Sequence, residues 1–276
     1  MKKLKLKKKN ILLIAITIIC VTVLIWNAVT FIRSNMEKQK INEETKIIEE
    51  ISEIQEIEDT EEVELVNPPE NKPNDYWDYI KLPLMSVNLN ELKNINKDTV
   101  GFISVAGTNI NYPVVQANDN KYYLEHSFQK KYNGAGWVFM DYRNHPSVSD
   151  RNTVIYGHAL NNDTIFGSLK NILNTSWVND KNNYIIKYVS EHETMLFQVF
   201  AVFTIPKESY YIQTSFSSDT EYKEWLDTMI GRSKFNFNTT VDENDSILTL
   251  STCKKYTDGK ERVVMQAKLI KKDHRN

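Results

Sequence analysis

The chain of 276 residues is 41% hydrophobic, 25% charged and 11% aromatic, the make-up of a globular protein with room for one large or two ordinary domains. Its formal net charge of −2 is unevenly placed: residues 1–10 hold six lysines and no acid, residues 36–66 hold twelve acids against three lysines, and residues 67–276 carry 24 of each sign. A balanced main domain without a basic cluster argues against nucleic-acid binding. Two cysteines, Cys20 inside an apolar run and Cys253, exclude a disulfide scaffold.

Taken in chain order, residues 1–10 form a basic tail and residues 11–32 an uncharged apolar run. At about 1.5 Å per residue this run reaches roughly 33 Å as a helix, enough to cross a bilayer core. A cleaved signal peptide is the alternative, but the run exceeds the usual apolar core of roughly 7–15 residues and lacks a small-x-small cleavage site. The reading adopted is an uncleaved signal anchor. Six lysines precede it and only Arg33 and Lys38 follow closely, which places the amino terminus in the cytoplasm and the rest of the chain outside.

Residues 33–74 read as an acidic tether. Ile47, Ile48, Ile51, Ile54 and Ile57 recur at helical spacing among glutamates, so this stretch is either an amphipathic stalk or a charged, disordered spacer. Pro68, Pro69 and Pro73 then break any helix and mark a boundary near residue 75. Beyond it, short β-branched runs predict strands over 100–105, 110–115, 136–140, 153–156, 184–189, 195–205, 246–251 and 262–270. Helical spacing predicts helices over 76–94, 165–173 and 219–232. Eight strands with few helices in 200 residues imply a mostly β domain over 75–276, built as a closed or nearly closed barrel.

Three residues stand out for chemistry. Cys253 ends the alternating strand Leu248-Thr-Leu-Ser-Thr-Cys and precedes a polar loop, so its thiol sits at a strand mouth. A buried structural cysteine is the alternative, but a lone thiol on the exported side of a membrane is prone to oxidation, and a nucleophile is one reason to keep it. It needs a base or a cation, because a thiol of ordinary pKa about 8.5 is only a few per cent thiolate at neutral pH. His126, His145, His192 and His274 lie in polar, loop-like surroundings, whereas His158 closes the apolar run Thr153-Val-Ile-Tyr-Gly-His, with Gly157 allowing a sharp turn. Arg262 opens the last predicted strand, where a hairpin would bring its guanidinium beside the thiol. Read singly, His158 could be a turn residue and Arg262 a surface arginine.

The motifs Tyr112-Pro-Val-Val-Gln, Phe139-Met-Asp-Tyr-Arg-Asn, Val154-Ile-Tyr-Gly-His, Thr249-Leu-Ser-Thr-Cys and Arg262-Val-Val, in this order, resemble those of a sortase of class B. The resemblance covers roughly residues 75–270, and the stretch 205–237 resembles the class B insertion between the sixth and seventh barrel strands. It implies an eight-stranded sortase-type barrel with a few peripheral helices. It also implies Cys253 as nucleophile, His158 as general acid and base, and Arg262 as the group that positions substrate and stabilises the oxyanion. Asn120, Leu124, Tyr156, Tyr211, Ile212 and Ser251 fall where class B enzymes line the sorting-signal cleft. The implied reaction cleaves a sorting signal of an exported protein at a threonyl bond and passes the acyl group to a peptidoglycan precursor or cell-wall amine, without a cofactor or metal. The residues themselves leave two alternatives: an anchored cysteine peptidase that uses water, and a non-catalytic surface-binding module.

Overall fold

The computed structural model describes residues 8–70, 74–206, 208–255 and 261–275, the side chains of residues 8, 9 and 253–255 excepted. Helix α1 (Lys8–Ser52) runs for 45 residues without glycine or proline. It ends where Glu53 takes a left-handed φ of 46° and the Asn88 N–H donates to the Ser52 carbonyl at 2.8 Å. Its two halves differ. Among the apolar residues of 11–32 none is buried, and the helix is long and apolar enough to cross a membrane. The second half buries one stripe, Ile41, Glu44, Ile48 and Ser52, at the three- and four-residue spacing of a single helix face.

That stripe corrects the reading of residues 33–74 as a tether. Ile41 and Ile48 enter the main core, and β1 (Gln55–Ile57) pairs antiparallel with β3 (Leu84–Ser86). Between these, β2 (Glu64–Leu65) adds to the last strand of the barrel. Residues on both sides of the proline run are held: Asn67 donates to Asp242 and Asp245, and Tyr76 donates to the carbonyls of Val66 and Ile270. Acidic composition masked this packing, because the docking residues are spaced about one per turn and most of the acids, Glu44 excepted, face outward.

The expected helix over 76–94 is divided into α2 (Tyr76–Tyr79), β3 and α3 (Leu89–Ile95). Pro83 cannot donate to a helix, and the residues after it find a strand partner in β1 that periodicity does not reveal. Then come β4 (Thr99–Val105), β5 (Asn111–Val115), β6 (Phe139–Met140) and β7 (Asn152–Ala159). The expected helix over 165–173 is a 3₁₀ segment, Gly167–Leu173, followed by the short α4 (Thr175–Val178). The chain continues through β8 (Ile185–Ser190), β9 (Glu193–Pro206), α5 (Asp219–Arg232), β10 (Ile247–Lys255) and β11 (Glu261–His274).

Eight of these strands close a ring in the order β4-β5-β6-β7-β10-β11-β9-β8, with β8 returning to β4. Most neighbours are antiparallel; β5 with β6 and β7 with β10 are parallel. Buried rings of Phe102, Trp137, Phe139, Tyr188 and Phe197 belong to the core. Helix α5 begins where the Ser218 side chain accepts from the Glu221 N–H and buries Tyr222, Trp225, Leu226 and Met229, an i, i+3, i+4, i+7 stripe. These residues cover Phe200, Phe203 and Val264 on β9 and β11. The insertion is thus tied to the wall that leads to the end of β10.

Candidate active site

Strands β7 and β10 are parallel neighbours, paired from Asn152–Ile247 to Gly157–Thr252, and paired again at Ala159–Lys255. Between the last two pairs β10 has two residues, Cys253 and Lys254, and β7 has one, His158. The mismatch is a β-bulge, a device that ends a ladder and re-aims side chains. It sets the Cys253 backbone beside that of His158 at the same end of the barrel. The side chain of Cys253, and residues 256–260 of the following loop, lie outside the described residues.

Gly157 lies within β7 and makes no turn. A Cβ there would come within 2.6 Å of the Phe166 ring, so glycine supplies room for that ring beside the histidine. His158 is half-buried and its Nε2 lies 2.9 Å from the Leu124 carbonyl; a carbonyl only accepts, so Nε2 carries the hydrogen. Gly136 closes this corner from the other side. It has φ +62°, and a Cβ there would collide with the carbonyls of Tyr123 and Leu124 and press on the His158 ring.

Arg262 is the second residue of β11 and pairs with Ile205 on β9. On its other side, β10 and β11 are paired as far as Ser251–Val264, and two residues further along each strand lie Cys253 and Arg262. The Val263 N–H donates to the Thr252 hydroxyl at 2.9 Å and keeps the strands together there. Arg262 Nη1 is buried and has no hydrogen-bond partner among the described residues. A buried donor without an acceptor costs about 1–3 kcal/mol, so such a group calls for a reason.

Three of the expected cleft residues, Asn120, Tyr156 and Ile212, are joined through one carboxylate. Asp141, fully buried after β6, accepts through Oδ2 from the Tyr156 hydroxyl at 2.8 Å, from Asn120 Nδ2 at 2.9 Å and from Arg143 Nη2 at 2.7 Å. Burial alone would push its pKa up, but the bonds from Arg143 and Tyr156 outweigh burial and hold it below the usual carboxylate range. Arg143 also donates to the Ile212 carbonyl at 2.9 Å. The Tyr211 hydroxyl meets the Ser251 hydroxyl at 2.9 Å, and Ser251 pairs with Tyr156 across β10 and β7. Leu124 joins the group through His158. Asp141 and Arg143 carry no role in the sequence reading; their only signal there is their place in the motif Phe139–Asn144.

His145, His192 and His274 are exposed, and His126, half-buried, stacks on Tyr122. A cleft of about 260 Å³ opens beside the ends of β7 and β10, lined by Ala159, Leu160, Lys170, Leu173, Thr252 and Val263 among others. Among the described residues no group of three or more His, Cys, Asp or Glu side chains is placed to hold a metal ion.

A family model described as a sortase domain matches residues 103–270. The chain is 36% identical over 181 residues to Sortase B of Staphylococcus aureus, covering 65% of this chain and 73% of that protein. It is 35% identical over 189 residues to Sortase B of Listeria monocytogenes, covering 67% and 74%. The crystal structure of sortase B from B. anthracis superposes with a TM-score of 0.66 at 34% identity, covering 87% of this chain and 99% of that one.

Proposed function

Since the chain belongs to the class B sortases, which are cysteine transpeptidases, we propose that it cuts a C-terminal sorting signal of exported proteins at a threonyl peptide bond. The Cys253 thiolate attacks the threonyl carbonyl carbon, and the carbonyl electron pair moves to oxygen. Arg262 donates to that oxyanion. The intermediate collapses as His158 gives a proton to the leaving amine, leaving a thioester on Cys253. An amine of a peptidoglycan precursor or of the cell wall then attacks the thioester, His158 takes its proton, and the thiolate is released. The product is a surface protein joined to the wall by a new amide bond.

The single observation that carries this reading is the β7–β10 register, which sets one bulged pair of β10 residues, Cys253 and Lys254, against His158. Arg262 Nη1, buried and without a partner among the described residues, supports it, because an oxyanion is an acceptor that appears only during the reaction. The apolar half of α1 supports anchoring in the cell membrane, with the amino terminus inside and the barrel facing the wall. On this reading the catalytic unit begins in the second half of α1, where burial starts, earlier than residue 75.

The test uses residues 34–276 with a panel of sorting peptides, with and without an added oligoglycine amine, read by mass spectrometry. A cleaved threonyl bond, a thioester on Cys253 and an amine-dependent ligation product are expected. Cleavage in which water is the only acceptor would replace the transpeptidation step with hydrolysis.

A further inference from the structure

In the insertion, the segment of residues 210–213 begins with a short 3₁₀ turn, Tyr210–Ile212, and its backbone acceptors are taken by side chains. The Tyr210 carbonyl accepts from Trp225 Nε1 at 3.0 Å, and the carbonyls of Tyr211 and Gln213 accept from Asn152 Nδ2 at 3.4 and 2.8 Å. The Ile212 carbonyl accepts from Arg143 Nη2. Four consecutive carbonyls are thus held by three side chains. Asn152 and Trp225 are buried, whereas the Arg143 side chain is 38% exposed.

Arg143 is itself oriented. Its Nε donates to Asp141 Oδ1 at 2.9 Å while Nη2 serves both Asp141 Oδ2 and the Ile212 carbonyl. This needs a planar fork with donors at fixed angles, which arginine has and lysine lacks. The same Asp141 oxygen holds Tyr156 and Asn120. One carboxylate therefore fixes three parts of the mouth: the start of the 120–137 loop, strand β7 and the insertion segment.

We propose that Arg143 and Asp141 are positioning residues that latch residues 210–213 onto the β7 side of the mouth and so set the groove in which the sorting signal is held. The proposal rests on the sortase reading of that groove. Neither side chain needs to touch the reacting atoms, so their loss acts on substrate binding and leaves the Cys253, His158 and Arg262 chemistry in place.

The experiment compares wild type with Arg143→Lys and Arg143→Gln, the second guarding against a folding failure of the first. Three quantities are measured: amide hydrogen exchange over residues 209–215, melting temperature, and kcat and KM with the sorting peptide that wild type cleaves best. Exchange in that segment should rise at least tenfold with the rest of the barrel unchanged. KM should rise about tenfold with kcat within threefold of wild type. Unchanged exchange at 209–215 overturns the latch, and a fall in kcat at constant KM overturns the positioning role. If wild type cleaves no peptide, the groove's reading as a sortase cleft fails, and exchange still decides whether the latch exists.

Discussion

Strand β11 treats its polar groups in opposite ways at its two ends. Towards the carboxyl end, Lys268 pairs with Asp245 at 2.8 Å, and Lys271, fully buried, donates to Asp59 and to the Leu82 carbonyl, both at 2.7 Å. Asp273 accepts from the Thr60 N–H and hydroxyl. At the mouth end, Arg262 leaves Nη1 buried without an acceptor among the described residues. Charge at the far end ties the amino-terminal segment and the stretch just before β10 to the barrel. At the mouth the Arg262 donor is left over, one of several buried polar atoms without a partner among the described residues, Gln266 Oε1 in the middle of the same strand being another.

The sharpest break of that contrast is at the mouth. Cys253→Ala is expected to lower peptide cleavage by about four orders of magnitude or more while the circular dichroism spectrum stays unchanged. Cleavage within a few-fold of wild type would sink the nucleophile assignment, and a lost spectrum would make Cys253 a structural residue. Arg262→Ala and Arg262→Lys come next. If the orphaned donor serves an oxyanion, both should slow turnover by roughly 10² to 10³ and leave peptide affinity nearly intact. Rescue by lysine would mean that charge alone suffices, and near-normal turnover in the alanine variant would remove Arg262 from the site.

The far end is tested through stability. Truncation to residues 75–276 deletes β1, β2, the buried stripe of α1 and the Asp59 partner of Lys271. Burial of an isoleucine contributes about 1.5–3 kcal/mol. Loss of Ile41 and Ile48 with the paired strands should therefore lower the melting temperature by about 10 °C or more relative to residues 34–276. Equal melting temperatures would show that residues 34–74 are a passive spacer.

The smallest effect concerns Glu44, whose Oε1 accepts from the Gln129 N–H at 2.5 Å and the Ser127 hydroxyl at 3.1 Å. Burial raises its pKa, and those bonds only partly offset it. The folded state then holds the proton more tightly than the unfolded state does. The contribution to stability is full below the unfolded value near 4.5 and is lost as pH rises through the folded value. Glu44→Gln, which keeps an acceptor and cannot ionise, should melt with wild type at pH 4 and about 1–3 °C higher at pH 8. A gap of the same size at both pH values would show that ionisation of Glu44 is not the cause.

Much of the barrel is legible in the sequence because β-branched runs bounded by Asn, Asp and Gly report strands directly. Helix α5 is equally plain, since its capping serine and apolar stripe are local. Other elements depend on distant partners. Strands β1 and β2 exist only through Leu84–Ser86 and Lys271–Lys272, and no local pattern announces them. Gly157 reads as a turn residue, yet its reason is a ring nine residues later in the chain. The order of the motifs that carry His158, Cys253 and Arg262 is visible in one dimension. The junction of Asn120, Tyr156 and Ile212 through the Asp141 carboxylate and the Arg143 fork is a property of three dimensions.

The absence of any glycine or proline between Lys8 and Ser52 changes what anchoring means for this protein. A loose tether would let the mouth sample a hemisphere above the membrane. On the proposed anchoring, an unbroken helix docked on the barrel from Ile41 onward leaves a mast of roughly 14 Å from Ile32 to Ile41 and restricts the height and bearing of the mouth. The mouth then sweeps the membrane plane only as the whole molecule turns about that mast. On the proposed function, clients and wall precursors would meet it at that level, and the sorting reaction would become a search in two dimensions, with the altitude set by a single helix.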